Sequence, residues 1–307
     1  MSTAIEVEIE GRQLKLSNLD KVFYPKTGFT KGQVIDYYTR VAPALLPHLE
    51  GRPLTMKRYP NGVEGKFFYE KECPKHRPDW VRTKRITSRG STKDRTHVNF
   101  CVVDDLATLV WAANLADLEM HTSLSRADDM THPTTVAFDL DPGPGTTIVE
   151  CCRIAAWLRT IFGELGIEGF PKTSGSKGLQ VYVPLNSGAT YTKTRAFALA
   201  VAELLERTHP ELVVSNMKKE LRKGKVLVDW SQNNQHKTTV CVYSLRARDT
   251  PTASTPVTWD EVDKCLKKED PDLLAFEAAE VLKRIEKHGD LFKPVLELVQ
   301  EVPKLTS

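Results

Sequence analysis

No run in this 307-residue chain approaches the roughly 20 consecutive apolar side chains needed to cross a bilayer. The opening MSTAIEVEIEGRQ likewise lacks the apolar core of an export signal. Six cysteines, Cys73, Cys101, Cys151, Cys152, Cys241 and Cys265, are scattered through the chain. Without an export signal they do not read as a disulfide framework, so the expected setting is a reduced cytoplasm with no membrane partner. Internal repeats are absent too, which removes solenoids and propellers from consideration.

What is present is uneven. The formal net charge is only +3, but residues 52–97 hold thirteen Lys/Arg against five Asp/Glu. Residues 217–248 hold eight against two. Two basic segments on an otherwise acidic chain suggest a localised anion-binding surface, with nucleic acid the leading candidate and solvated charged loops the plain alternative.

Apolar periodicity predicts mixed helices and strands, hence an α/β or α+β chain. Helices are expected over 30–49 (bent or ended near Pro43), 104–121, 147–163 and 191–208, and again in an acidic tail from 258. Strands are expected near 53–59, 67–70, 98–103, 134–140, 178–184, 226–230 and 237–242. The low-complexity RDTPTASTP at 248–256 reads as a linker. The expected organisation is one catalytic domain over 1–250, with a basic N-terminal part to about 130 and a core from about 131. A helical appendage at 257–307 would pack on it.

The string TTVAFDLDPGPGTT at 134–147 ends an apolar run with two carboxylates two positions apart. Side chains at i and i+2 of a strand share a face, so Asp139 and Asp141 project together while Leu140 turns away. Like charges this close raise each other's proton affinity unless a cation sits between them. GKVLVDWSQN at 224–233 ends a second apolar run in Asp229. Three carboxylates at two strand ends can bind two divalent ions roughly 3.5–4 Å apart, and oxygen ligands suit magnesium or manganese. Solvated strand ends, or caps of the next helix, explain bare D-x-D strings equally well.

KTSGSKGLQVYVPL at 172–185 adds glycines that permit close backbone approach, with Ser174, Ser176 and Lys177 as polar partners. Its spacing is not that of a Walker A loop. In MKRYPNGVEGKFFYEK at 56–71, Lys57, Arg58, Lys66 and Lys71 surround Phe67-Phe68-Tyr69, a pattern that stacks bases and holds phosphates. Adjacent strand residues face opposite ways, so at least one of the two phenylalanines is expected in the core. Cys73-x2-His76 and His97-x3-Cys101 form two halves of a zinc pattern, with ordinary loop and core residues as the alternative.

FDLDPG, TSGSKGL, LRKGKVLVDWSQN and KTTVCVYSLRAR occur in this order, and LDKVFYPKTGFTKGQVIDYY, GRPLTMKRYPNG and FFYEK precede them. Together they resemble the polymerase domain of bacterial ligase D, in the archaeo-eukaryotic primase superfamily, across roughly residues 15–250. The resemblance implies a template-dependent nucleotidyltransferase that uses two manganese (or magnesium) ions, often prefers ribonucleotides, and acts in end joining and gap repair. It implies Asp139, Asp141 and Asp229 as catalytic metal ligands and His121 at the nucleotide and metal site. Ser174, Lys177 and Arg246 would contact the triphosphate, with Gln232 and Lys57 nearby. Lys21 and Lys31 would hold the 5′-phosphate across a gap, and Phe67 and Phe68 would pack on the template base. Arg58, Lys71 and Arg222 would be supporting cations. Implied partners are gapped or broken DNA, NTP or dNTP, a DNA ligase and end-binding repair proteins. The implied form is a monomer in the cytoplasm, associated with the nucleoid.

Many relatives carry histidine where this chain has Gln180. The chain also shows no nucleotidyl-lysine ligase motif and no nuclease domain, so it is similar to stand-alone actinobacterial members. A metal-dependent phosphohydrolase or glycosyltransferase would also use the D-x-D pair, but neither accounts for Asp229 beside the basic clusters. A non-catalytic nucleic-acid-binding module would be expected to have lost a carboxylate, and all three are present.

Overall fold

Thr30 caps the helix Lys31–Leu49 reciprocally: its side chain accepts from the Gln33 amide, and the Gln33 side chain accepts from the Thr30 amide. This and all other local geometry come from a computed structural model, which describes residues 4–87 and 96–304. The helix runs through Pro43 and Pro47 to Leu49, matching the expected span 30–49; of the two expectations at Pro43, a bend or an end, the end does not occur. An interior proline costs about 3 kcal/mol. Here the helix buries Val34, Ile35, Tyr37, Tyr38, Val41, Leu45 and Leu49 along one side, and that burial outweighs two lost hydrogen bonds.

The chain divides into two units. The first comprises the chain up to Ser123 together with Thr238–Ala253 and Glu277–Gly289. Its antiparallel sheet runs, edge to edge, Thr239–Val240, Asp117–Thr122, Pro53–Arg58, His97–Val102 and Thr83–Thr87. Phe68–Glu70 pairs additionally with Pro53–Arg58. Lys31–Leu49 packs against the helices Leu106–Asn114 and Ala278–His288.

The expected helix over 104–121 is replaced by a short helix, Leu106–Asn114, and a strand, Asp117–Thr122. Ala116 takes a left-handed φ of 63° and breaks the helix. Beyond it the pattern has period two, with Asp117, Glu119 and His121 on one face and Leu118 and Met120 on the other.

The second unit comprises Leu124–Lys237, Ser254–Phe276 and the chain from Asp290. Its mixed sheet runs Phe170–Thr173, Leu179–Pro184, Thr135–Pro142, Val226–Asp229 and Val213–Val214, antiparallel except for the last pair. Phe138 of the central strand meets Phe162 and Phe197, whose ring centroids lie 5.4 and 6.1 Å away. The helices Ile148–Glu164 and Tyr191–Thr208 therefore cover one face of this sheet.

The expected linker 248–256 does pass from the first unit to the second; Arg248 and Asp249 are exposed, but Ala253, Ser254 and Thr255 are buried. Their backbone is tied in at both ends, by Leu245↔Ala253 in the first unit and Lys172↔Pro256 in the second. Small side chains let these strand-like residues lie close against the sheets, which composition alone does not reveal.

Cys73 and Cys101 form a disulfide with Cα atoms 5.0 Å apart, which corrects the reading of a chain without disulfides. The bond joins the loop before Thr83–Thr87 to the strand His97–Val102, a proximity created by the sheet rather than by sequence spacing. The four other cysteines are buried and form no disulfide. Among the described residues no helix is long and apolar enough to cross a membrane.

Candidate active site

Because helices cover the Phe138 and Leu140 side of the second unit's sheet, Asp139 and Asp141 look out from the other face. Asp139 is directly paired with Asp229 on the neighbouring strand. Opposed residues of an antiparallel pair share a face, so all three carboxylates project to one side. Asp139 is pushed up to about 7, first by desolvation, then by Asp141, with Asp229 adding to the effect.

Each carboxylate is partly held. Asp139 Oδ1 accepts from Gln180 Nε2 at 2.9 Å. Asp229 Oδ1 accepts from the Ser231 amide at 2.9 Å and the Ser231 hydroxyl at 2.5 Å, and its Oδ2 accepts from Gln232 Nε2 at 2.9 Å. Lys237 donates in turn to the Ser231 hydroxyl.

Among the described residues no three or more His, Cys, Asp or Glu side chains are gathered into a metal-holding group. The carboxylates share a face without closing into a cage. The donor set nevertheless fits a hard divalent cation. It is all oxygen, and the negative charges of Asp141 and Asp229 beside Asp139 favour a positive charge there. The zinc pattern fails on the same criterion, with Cys73 and Cys101 bound to each other.

The turn at 174–178 lies at the same end of the sheet. Ser174 Oγ accepts from the Ser176 and Gly178 amides at 3.2 and 3.1 Å, and Gly175 adopts φ 66°. A Cβ on Gly178 would stand 2.2 Å from the Leu140 carbonyl oxygen, so only glycine lets this turn press onto the carboxylate strand. Lys177 is exposed on it. Arg222 sits in a loop bonded to the turn after Asp141, through Gly143 N to Lys225 O at 2.9 Å and Gly224 N to Pro144 O at 2.8 Å.

The other predicted residues belong to the first unit. Glu119, absent from the sequence-based set, is their organiser: it is 2% exposed. Lys57 Nζ lies 3.1 Å from its Oε1, while His121 Nε2 and Arg246 Nε each lie 3.3 Å from its Oε2. The Tyr59 hydroxyl and the Ala247 amide also donate to Oε1. Despite desolvation, the hydrogen bond from His121 and the charges of Arg246 and Lys57 hold the Glu119 carboxyl well below the usual carboxylate range. Burial pulls the His121 pKa down, against the upward effect of Glu119. The signal for Glu119 was present in the sequence, in the DLEMH alternation of a strand read there as a helix.

Lys57 also stands over the Phe67 ring at 4.6 Å, and Arg58 over Phe68 at 5.2 Å while bonding Glu70 at 2.6 Å. Phe67 and Phe68 are 51% and 43% exposed, so neither is core, contrary to expectation. Phe67 immediately precedes the short strand Phe68–Glu70, which pairs with Pro53–Arg58 beyond the sheet's main path. Lys71 is exposed beside them.

Lys31, expected with Lys21 to hold the downstream 5′-phosphate, is 5% exposed. Its ammonium donates to the Ser17 carbonyl and to Asn114 Oδ1, both at 2.7 Å. Lys21 donates to the Pro60 carbonyl at 2.6 Å and to Asn61 Oδ1 at 2.9 Å. Burial, with Lys21 and Arg58 nearby, lowers the Lys31 pKa to about 8.

The LigD primase-polymerase domain family matches residues 30–292. The chain is 42% identical over 285 residues to the multifunctional non-homologous end joining protein LigD of Mycolicibacterium smegmatis, covering 92% of this chain and 36% of that protein. It is 33% identical over 278 residues to the bifunctional LigD of Bacillus subtilis, covering 90% and 43% respectively. It thus spans well under half the length of these curated relatives. Among solved structures, the polymerase domain of Mycobacterium tuberculosis ligase D in complex with DNA aligns with a TM-score of 0.85 at 38% identity, over 94% of this chain and 99% of that one.

Proposed function

The chain belongs to the LigD primase-polymerase family, and from that premise we propose that it is a template-dependent nucleotidyltransferase acting at short gaps or broken DNA ends. The observation that carries this reading is the shared face of Asp139, Asp141 and Asp229, fixed by the Asp139↔Asp229 register. Two manganese or magnesium ions bound there would activate the attacking oxygen and neutralise the leaving phosphate. Asp139, Asp141 and Asp229 would hold them. Lys177 and Ser174 on the adjoining turn, with Gln232 and Arg222, would bind phosphate oxygens at that face.

In the first unit, Lys57, His121 and Arg246 around Glu119 form a phosphate-binding group for the nucleotide. Phe67 and Phe68, exposed and topped by cations, give a stacking platform for a template base, with Arg58 and Lys71 on its backbone. A DNA ligase and end-binding repair proteins are the natural partners of such an enzyme, and the cytoplasmic nucleoid its place of work. The test is primer extension on a gapped duplex with each nucleotide type and each metal. Manganese-supported, template-directed addition is expected, with ribonucleotides used at least as well as deoxyribonucleotides. No extension with any combination overturns the polymerase reading, and a tenfold or greater preference for deoxyribonucleotides overturns the sugar preference alone.

A second expectation concerns the far side of the gap. Lys21 and Lys31 donate to neutral carbonyl and amide oxygens, so their positive charge is left to attract an anion. Each charge-assisted contact to a terminal phosphate is worth about 1.5–3 kcal/mol. Duplexes with a downstream 5′-phosphate should therefore bind about tenfold or more tightly than 5′-hydroxyl ones.

The pH dependence has a definite sign. Lys31 is charged below about pH 8, and a phosphomonoester gains its second charge near pH 6 by analogy with phosphorylated side chains. Discrimination should be fullest between these values and decline as the pH rises above 8. Bound phosphate favours the charged lysine and moves that decline upward. Fluorescence anisotropy on matched duplexes across pH 6–10 measures it, and equal affinity for both ends at pH 7 excludes the pocket.

A further inference from the structure

Four residues form a row straight across the second unit's sheet. Lys172 is paired with Gln180, Gln180 with Asp139, and Asp139 with Asp229. Lys172 is only 1% exposed, an unusual place for an ammonium group. Its Nζ donates to Gln180 Oε1 at 2.6 Å and to Ser254 Oγ at 2.7 Å. Ser254 Oγ in turn donates to the Thr173 carbonyl at 2.9 Å, so its one proton is committed there and its lone pairs are turned to the lysine.

The direction of every bond in this row follows from the ammonium, which can only donate. Facing it, Gln180 must present its carbonyl oxygen. The amide NH2 is then aimed the other way, at Asp139 Oδ1, 2.9 Å off. The flipped amide would oppose donor to donor on one side and acceptor to carboxylate on the other. Resting on the reading of Asp139 as a cation ligand, we propose that Lys172 is a positioning residue. It fixes the Gln180 amide, which pins one Asp139 oxygen and leaves the other presented to the cation site.

One further observation agrees. A buried ammonium is unfavourable in itself, and an apolar side chain would fill the same space beside Tyr182 without that cost.

Manganese binding to the DNA-free protein, followed by the EPR signal of the free ion, tests this. The proteins compared are wild type, Lys172→Met, Gln180→Met, the double variant and Asp139→Asn. Each single change should weaken binding about fivefold or more, and the double should be no worse than the more affected single, because the lysine acts through the amide. In turnover, Lys172→Met should lower kcat while leaving the nucleotide KM nearly unchanged.

If Asp139→Asn binds manganese like wild type, the assignment of Asp139 is wrong and the relay loses its purpose. If Asp139→Asn weakens binding but Lys172→Met does not, the relay alone is overturned. Full additivity of the two single changes also overturns it. Independently of any variant's folding, the Gln180 side-chain NH2 of the wild-type protein should exchange slowly with solvent by NMR. Fast exchange would show that the amide is not held.

Discussion

Replacing Asp139 or Asp229 by alanine should lower nucleotide addition by about three orders of magnitude or more, while DNA affinity stays within a few-fold of wild type. The two residues face each other across adjacent strands, and with Asp141 they are the acidic groups of that face. Cation stabilisation of a transferring phosphoryl group is worth several kcal/mol, and each 1.36 kcal/mol is tenfold in rate. In the proposed arrangement DNA would be held by cations elsewhere, so the loss should fall on turnover. The metal-free Asp139→Ala protein should melt no lower than wild type, because the change relieves repulsion from Asp141 and Asp229. Single-turnover extension, anisotropy and thermal melting together check this. Extension near the wild-type rate in either variant contradicts the mechanism.

Glu119→Ala should be the most destabilising single change in the first unit. It removes one buried carboxylate from among Lys57, His121 and Arg246, which keep their positions within a few ångströms of one another. Breaking a buried ionic group by deleting one partner costs about 3–5 kcal/mol, since the remaining charge is left uncompensated. Glu119→Gln retains the shape but not the charge. It should fold with a smaller loss and show a raised nucleotide KM, with kcat less affected. Urea denaturation measures the first effect and steady-state kinetics the second. Wild-type stability in Glu119→Ala would mean that the cations do not depend on this carboxylate.

The legible and the illegible parts of this site differ in physical kind. Asp139 and Asp141 could be placed on one face because a period of two follows from strand geometry alone, and the apolar run before them marked the strand. The pairing of Asp139 with Asp229 depends on register between strands some ninety residues apart, which no local pattern encodes. Glu119 was hidden by a wrong period: LADLEMH satisfies helical spacing until Ala116 turns left-handed and resets it. Lys172 and Ser254 meet only because residues 254–256 return to the edge strand Phe170–Thr173. The run through Pro43 is the opposite case, in which a local penalty that left a bend or an end open is offset by tertiary burial. The exposure of Phe67 and Phe68 goes with the position of the strand Phe68–Glu70 beyond the sheet's main path, which alternation along the chain cannot supply.

The threading of the chain through its two units has a consequence for biosynthesis. The first unit takes its edge strand Thr239–Val240 and its helix Ala278–His288 from segments made long after residue 123. While the intervening residues leave the ribosome, the strand Asp117–Thr122 has no partner on that side, and the helix Lys31–Leu49 lacks its late neighbour. An unpaired edge next to an uncovered apolar surface invites association with other nascent chains. At roughly 5–20 residues per second, the interval from residue 123 to residue 289 lasts about 8–33 seconds. For that time the growing polypeptide holds a half-finished sheet, and its protection falls to whatever shields nascent chains in the cell.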